Sequence, residues 1–292
     1  MSRLACVDGE LLAPEEAKVS VYDRGFLYGD SVFETIRTYG GRPFALDEHV
    51  SRLERSSELV GIQLPVAPSV LREEIERAIA AAGNAECYAR VMITRGTGPL
   101  GLDPANMTRS FRVILVEPFT PLPVAMYRDG VSVITHRTER ASDAAHGAKV
   151  GNYLAGMMAL RVARQTGAHE ALILDTAGRV TEGTTSNVFI VRGQTILTPP
   201  DDAGILLGIT RAKIVEIAPQ IGLSVKFSPL VPADLLSADE VFLCSSIREI
   251  LPVVRVDGIA VGNAKPGPQT RALHAAFRRA VGLENVPAPW EG

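Results

Sequence analysis

Three prolines fall within seven residues at Glu117-Pro-Phe-Thr-Pro-Leu-Pro123, a stretch with neither helical nor strand periodicity. Such a segment continues no regular element, because proline lacks the N–H that helices and ladders use. It interrupts a chain of 292 residues, longer than one compact domain usually runs. We therefore expect an α/β (α+β) chain of two domains: 1–119, a linker over 120–128, and a larger domain over 129–292.

Around that break the pattern alternates between strands and helices. Leu4 to Val7, Val19 to Val21 and Ser31 to Tyr39 read as strands, the last placing Phe33, Thr35, Arg37 and Tyr39 on one face. Asp47 is positioned to cap a helix carrying Val50, Leu53, Ser57 and Val60, and Ser69 a second helix stopped by Gly83. Strands follow at Tyr88 to Thr94 and Phe111 to Val116. Beyond the prolines come a strand at Val131 to Thr135 and a helix from about Asn152 to Gln165 with Leu154, Met157, Met158 and Val162 as its apolar stripe. Strands at Ala171 to Leu174, Val188 to Val191, Thr195 to Thr198 and Glu240 to Cys244, and a helix opening near Thr210, complete the pattern.

Composition excludes several classes. Hydrophobic residues at 46% and charged residues at 22% are ordinary globular usage. A net charge of −3 with scattered Lys and Arg gives no basic footprint for nucleic acid or anionic lipid, so small molecules are the expected partners. Cys6, Cys87 and Cys244 form no CxxC pair, and neither a signal-peptide core nor a spanning run is present. We expect a cytoplasmic protein without structural metal.

Gly96-Thr-Gly-Pro-Leu-Gly101 matches a GxGxxG dinucleotide pattern, but Pro99 and Asp103-Pro104 continue it as loop where that site needs a helix. His49, His136, His146, His169 and His274 show no HExxH spacing, and no GxSxG elbow or Walker A loop occurs. Lys149, in Gly147-Ala-Lys-Val-Gly-Asn-Tyr-Leu154, would alone pass for a solvated lysine. Its company changes the reading: Thr181-Glu-Gly-Thr-Thr-Ser-Asn187 supplies a carboxylate after two strands, and Gly208-Ile-Thr-Arg211 opens a helix. An amine can condense with an aldehyde, a carboxylate favours a protonated pyridine ring, and a helix start binds a phosphate dianion.

From Tyr22-Asp-Arg-Gly-Phe-Leu-Tyr-Gly-Asp-Ser-Val-Phe-Glu-Thr-Ile-Arg37 to Val256-Asp-Gly-Ile-Ala-Val-Gly262, the chain resembles class IV aminotransferases, which use pyridoxal 5′-phosphate. The most specific segments are Glu48-His-Val-Ser-Arg-Leu53, Ala148-Lys-Val-Gly-Asn-Tyr-Leu154, Val180-Thr-Glu-Gly183 with Ser186-Asn187, and Leu207-Gly-Ile-Thr-Arg211. The resemblance implies the two-domain fold of that family and a homodimer or higher homo-oligomer. It makes Lys149 the lysine that holds the cofactor and Glu182 the partner of the pyridine nitrogen. Arg52, Ile209, Thr210 and Ser246 would bind the phosphate, Tyr153 would stand near the phenolic oxygen, and Asn187 would be structural. Tyr28, Phe33, Thr35, Arg37, Tyr88, Arg90, Ser246 and Ile247 form the implied substrate-binding set.

Within the family, Tyr88-x-Arg90 followed by Gly98-Pro-Leu-Gly-Leu-Asp-Pro104 resembles branched-chain aminotransferases, which implies amino transfer from an L-amino acid to 2-oxoglutarate. Leu100 and Leu102 stand where D-amino acid aminotransferases carry an Arg-x-His carboxylate trap. Thr35 departs toward aminodeoxychorismate lyases, which use a threonine there. Cys244-Ser-Ser-Ile-Arg-Glu249 departs from the Gly-Thr-Ala-Ala-Glu of branched-chain enzymes, with Arg248 either a second carboxylate contact or an outward-pointing residue. Branched-chain transaminase, aminodeoxychorismate lyase and D-amino acid aminotransferase therefore all stay open, the first leading.

Overall fold

A computed structural model of the chain describes residues 2–105, 107, 109–137 and 147–291. The chain forms two compact units, one of Met1–Thr120 with Ser142–Tyr153 and one of Pro121–Ala141 with Leu154–Gly292. His146, noted above for its spacing, lies outside the described residues.

The first unit contains β1 (Leu4–Val7), β2 (Glu10–Leu12), α1 (Arg24–Tyr28), β3 (Ser31–Tyr39), β4 (Arg42–Pro43), α2 (Leu46–Leu59), α3 (Pro68–Ala82), β5 (Cys87–Thr94) and β6 (Phe111–Pro118). Its strands make one antiparallel sheet in the order β2-β1-β6-β5-β3-β4. Alternation along β3 sends Val32 and Ile36 into a core with Val50 and Leu53 of α2, Leu71 and Ile75 of α3, and Ala89, Val91 and Ile93 of β5.

Lys149 belongs to this unit and not to the C-terminal domain in which a boundary at the prolines places it. Backbone pairing is the reason: Val150 bridges Val32, the Phe33 N–H donates to the Lys149 carbonyl at 2.9 Å, and the Gly151 N–H donates to the Ser31 carbonyl at 2.7 Å. Three further expectations are corrected. Val19 to Val21 is exposed and forms no strand. Asp47 and Ser69 lie inside first turns, since α2 starts at Leu46 and α3 at Pro68, whose fixed φ suits a first helical position. Asp47 pairs with Arg72 of α3 rather than capping.

The second unit contains α4 (Val124–Arg128), β7 (Val131–Arg137), α5 (Leu154–Gln165), β8 (Glu170–Leu174), β9 (Val180–Gly183), β10 (Asn187–Arg192), β11 (Thr195–Thr198), α6 (Ile209–Ile217), β12 (Ser224–Phe227), α7 (Pro232–Leu236), β13 (Glu240–Ser245), β14 (Glu249–Val256), β15 (Ile259–Ala260) and α8 (Pro268–Ala280). Its mixed sheet runs β12-β11-β10-β13-β14-β7-β8-β9, with β15 beside β14. The β11/β12, β14/β7 and β7/β8 pairs are parallel. Val133, Leu172, Val188, Ile190, Leu243 and Leu251 are among the residues that fill its main core.

Helix α5 reverses the usual sense of its apolar stripe. Its buried residues are the small Ala159 and Ala163, which pack with Ala171 and Ile173, while Leu154 (66%) and Met157 (62%) are exposed beside Met158 and Val162. No helix among the described residues is long and apolar enough to cross a membrane.

Candidate active site

The pleat of β3 and its register with β5 collect most of the expected substrate residues on one face. Phe33 lies opposite Met92, Thr35 opposite Arg90 and Arg37 opposite Tyr88, and directly opposed residues of an antiparallel pair share a face. Phe33 is the hub of that face. The Arg90 guanidinium carbon lies 3.8 Å from its ring centroid and the Lys149 Nζ 4.6 Å, and Tyr153 meets it edge-on at 5.2 Å. Burial pushes Arg90 below the ordinary arginine value, against the opposing pull of Tyr153 and Tyr88. Arg37 stacks on Phe119 at 3.8 Å and Tyr39 at 4.5 Å. Tyr28 engages another segment: its hydroxyl accepts the Gly101 N–H at 3.1 Å, while Arg24 holds the Gly101 and Leu102 carbonyls.

On the opposite face of β3 stands Glu34, fully buried between the core residues Val32 and Ile36. Arg52 of α2 grips it bidentately, Nε to Oε1 and Nη2 to Oε2, both at 2.7 Å. The His49 Nδ1 meets the same Oε2 at 2.7 Å. Burial alone would raise the Glu34 carboxyl, but Arg52 and then His49 outweigh it and hold it at about 2. Burial pushes His49 below its ordinary value despite Glu34, and because its Nδ1 faces a carboxylate, which only accepts, that nitrogen is the donor. Four residues beyond Arg52 on the same helix, the Ser56 hydroxyl accepts the Lys149 N–H at 3.1 Å. Arg52 is thus a buried, oriented cation and not a solvated helix residue.

In the second unit Glu182 is buried on β9, and its Oε2 accepts the Leu206 N–H at 2.9 Å. The Asn187 amide donates to the Leu206 carbonyl at 2.9 Å, so the strand that follows Glu182 fixes the approach to α6. Gly208 precedes the helix with no side-chain cap, and a β-carbon there would overlap the Asn187 amide oxygen. Behind it the Thr210 hydroxyl is buried without a partner among the described residues. Arg211 anchors this turn by donating to the Pro199 carbonyl at 2.8 Å.

Ser246 and Ile247 occupy the turn between β13 and β14. Arg248, in the same turn, does not point outward. It folds inward onto the buried Glu170 at 3.0 Å and donates to the Thr185 hydroxyl at 2.8 Å. Glu170 also accepts the Thr185 N–H at 2.7 Å and the Thr184 hydroxyl at 2.9 Å. The turn bearing Ser246 is thereby tied to the turn that follows Glu182.

A family model for amino-transferase class IV matches residues 31–256, three quarters of this chain. The chain belongs to the class IV aminotransferases. Among relatives, the aminotransferase is 33% identical over 280 residues to the branched-chain-amino-acid aminotransferase of Escherichia coli, covering 92% of this chain and 90% of that one. A crystal structure of the E. coli branched-chain enzyme matches with a TM-score of 0.91 at 31% identity, over 97% of this chain and 96% of that one. A T.th. branched-chain enzyme complexed with N-(5′-phosphopyridoxyl)-L-glutamate matches with a TM-score of 0.89 at 32% identity, over 100% and 97%. D-alanine aminotransferases and an aminodeoxychorismate lyase are also relatives, at 32–33% identity.

Four buried polar residues of this aminotransferase are not singled out by the sequence motifs, although each leaves a signal there. Glu34 occupies a core position of a strand whose neighbours on that face are apolar, and such a carboxylate requires a partner. His49 and Ser56 lie three before and four after Arg52, which places all three on one face of α2. Glu170 begins a strand that is otherwise apolar. The cysteines take no visible part: all three are buried and unpaired, and burial pushes Cys244 up to about 12.

Proposed function

We propose that this aminotransferase works with pyridoxal 5′-phosphate held by Lys149 and moves an amino group from an L-amino acid of branched-chain type to 2-oxoglutarate. Arg90 carries the substrate part of this reading: its guanidinium carbon lies 3.8 Å from the centroid of Phe33, the ring that Lys149 also faces. A guanidinium so placed can meet a distal carboxylate, while the ring beneath it offers an apolar surface to leucine-like side chains. Leu100 and Leu102, both strongly exposed, provide no carboxylate trap of the D-specific kind.

The residues present fit the cofactor. The unpartnered Thr210 hydroxyl at an uncapped helix start, with Gly208 in front of it, suits a phosphate dianion. Ile209, Ser246 and Arg52 are further phosphate donors in this reading, and Tyr153 serves the phenolic oxygen. Glu182, fixed by the Leu206 N–H, suits a protonated ring nitrogen. When bound, the cofactor supplies an electron sink for the charge left as the substrate α-carbon loses its proton. Lys149 Nζ takes and returns that proton, and Tyr28, Phe33, Thr35, Arg37, Tyr88, Arg90, Ser246 and Ile247 receive the substrate.

Glu182→Gln should retain cofactor yet slow proton abstraction by about 10- to 10³-fold, matching the one to three pKa units that an adjacent opposite charge supplies. Single-turnover absorbance traces measure this, and near-normal rates would exclude the role.

A second reading, aminodeoxychorismate lyase, draws on Thr35, which faces Arg90 across the β3–β5 pair. A panel of half-reactions with L-amino acids, D-amino acids and aminodeoxychorismate, followed in the cofactor spectrum, tests both. Turnover of L-leucine and L-glutamate is expected. Response to D-amino acids alone, or to aminodeoxychorismate alone, would overturn the leading reading.

The outward stripe of α5 is the surface we assign to a second copy of the chain, since four apolar side chains at helical spacing remain exposed there. Met157→Glu should shift sedimentation toward the single-chain mass, and an unchanged mass would remove α5 from the interface. The buried, unpaired cysteines accord with a cytoplasmic setting.

A further inference from the structure

We propose that Glu34 and His49 are positioning residues that set the plane of the Arg52 guanidinium for the cofactor phosphate, an inference that rests on the phosphate role of Arg52 given above.

The arrangement is costly. Strand alternation drives Glu34 into a core built from Val32, Ile36, Val50 and Leu53, where an unpaired carboxylate would be strongly destabilising. A pair of well-packed apolar residues would serve stability there as well as a buried ion pair does. What an ion pair adds is direction. Arginine presents five donors in a rigid fork, and two of them, Nε and Nη2, are committed to the two oxygens of one carboxylate at equal 2.7 Å distances. Bidentate contact fixes the guanidinium plane, whereas a single contact leaves it free to rotate.

His49 fixes the carboxylate in turn. Its Nδ1 shares Oε2 with Nη2, so Glu34 receives three donors, which restrain rotation about its χ angles. The His49 Nε2 is buried without a partner among the described residues, so the ring's observed polar contact is to Glu34. The spacing His49, Arg52, Ser56 continues this polar stripe along α2 to the Lys149 backbone. One buried stripe therefore orients the arginine and seats the segment that carries the lysine. Neither Glu34 nor His49 touches the phosphate in this proposal; both act through Arg52.

The test compares ligands with and without phosphate. The full-length protein, resolved of cofactor, is titrated with pyridoxal 5′-phosphate and with pyridoxal. In the wild type the phosphate compound should bind far more tightly. Glu34→Gln, which keeps the side-chain size and removes the charge, should lower the affinity for pyridoxal 5′-phosphate about 10- to 100-fold, the range of a lost charge-assisted hydrogen bond. Its affinity for pyridoxal should change little. His49→Asn, whose amide can replace the Nδ1 donor, should stay close to wild type, while His49→Ala should move in the same direction as Glu34→Gln. The two His49 variants decide the matter should Glu34→Gln not fold.

Equal losses for both ligands, or no loss for either, would show that Glu34 and His49 serve only the fold and would overturn the proposal. Arg52→Gln is the reference for the reading beneath it. If that variant keeps the wild-type preference for the phosphate compound, the phosphate role of Arg52 fails. If it loses the preference while Glu34→Gln and His49→Ala keep it, only the positioning role fails.

Discussion

Replacing Lys149 by alanine should reduce amino transfer by at least about 10⁴-fold, the upper end of what a positioned proton-transfer group contributes, because the same amine also holds the cofactor. Lys149→Arg should not rescue, since a guanidinium keeps the charge but cannot act as the attacking amine. The location of Lys149 gives the expectation its physical basis. Its backbone is held on three sides, by the Phe33 N–H, the Ser56 hydroxyl and the Val150 bridge to Val32. The side chain then projects over the Phe33 ring with its Nζ 4.6 Å from the centroid. Borohydride reduction followed by peptide mass mapping should find the pyridoxyl group on Lys149. The other lysines, Lys18, Lys213, Lys226 and Lys265, are the internal controls. A group fixed to one of them, or to none, would remove Lys149 from its role.

The parts of this fold that were legible in the sequence are those set by local periodicity. β3 and β5 could be read from alternation, and with them the common face of Phe33, Thr35, Arg37, Tyr88 and Arg90, because a pleat alternates wherever the strand ends up. Pairing partners are another matter. The attachment of Lys149 to the first unit depends on a short bridge between residues more than a hundred positions apart, and no periodic signal encodes it. α5 shows the same limit from another side. Its stripe of Leu154, Met157, Met158 and Val162 was plain, but periodicity identifies a face without saying what covers it, and this one is exposed.

β14 was hidden by Pro252 within an apolar run, a residue that argues against an interior strand because it donates nothing to a ladder. It nevertheless pairs with Phe242 of β13, and β14 lies between β13 and β7. At the candidate site the motifs indicated Lys149, Arg52 and Glu182 one by one, yet the groups that orient Arg52 became visible only through contact. Glu34 lies eighteen residues from it and His49 three, and neither separation alone marks a shared carboxylate. Arg248 makes the point most directly. Its charge leaves open where the side chain points, and the carboxylate it meets, Glu170, is remote in sequence.

Arg90→Leu should separate the two half-reactions of the proposed transaminase. An enzyme that accepts leucine-like and glutamate-like substrates must offer one pocket to both an apolar and a charged side chain. Arg90 can do so because it is stacked on Phe33 at 3.8 Å and shares its strand face with Tyr88, and a guanidinium stays protonated even where burial lowers its pKa. Leucine at this position would still cover the Phe33 ring, so the apolar part of the pocket should survive. The glutamate and 2-oxoglutarate half-reaction should then weaken by about 2–5 kcal/mol, the loss typical of a charge-assisted pair with one partner removed, while the leucine half-reaction stays within about threefold. Stopped-flow absorbance with each substrate measures both. Equal losses would mean that Arg90 holds the α-carboxylate common to all substrates, or the sheet itself. If the wild type responds to aminodeoxychorismate and to no amino acid, the transaminase reading falls, and Thr35, directly across from Arg90 in the β3–β5 register, becomes the residue to test by Thr35→Ala and Thr35→Ser.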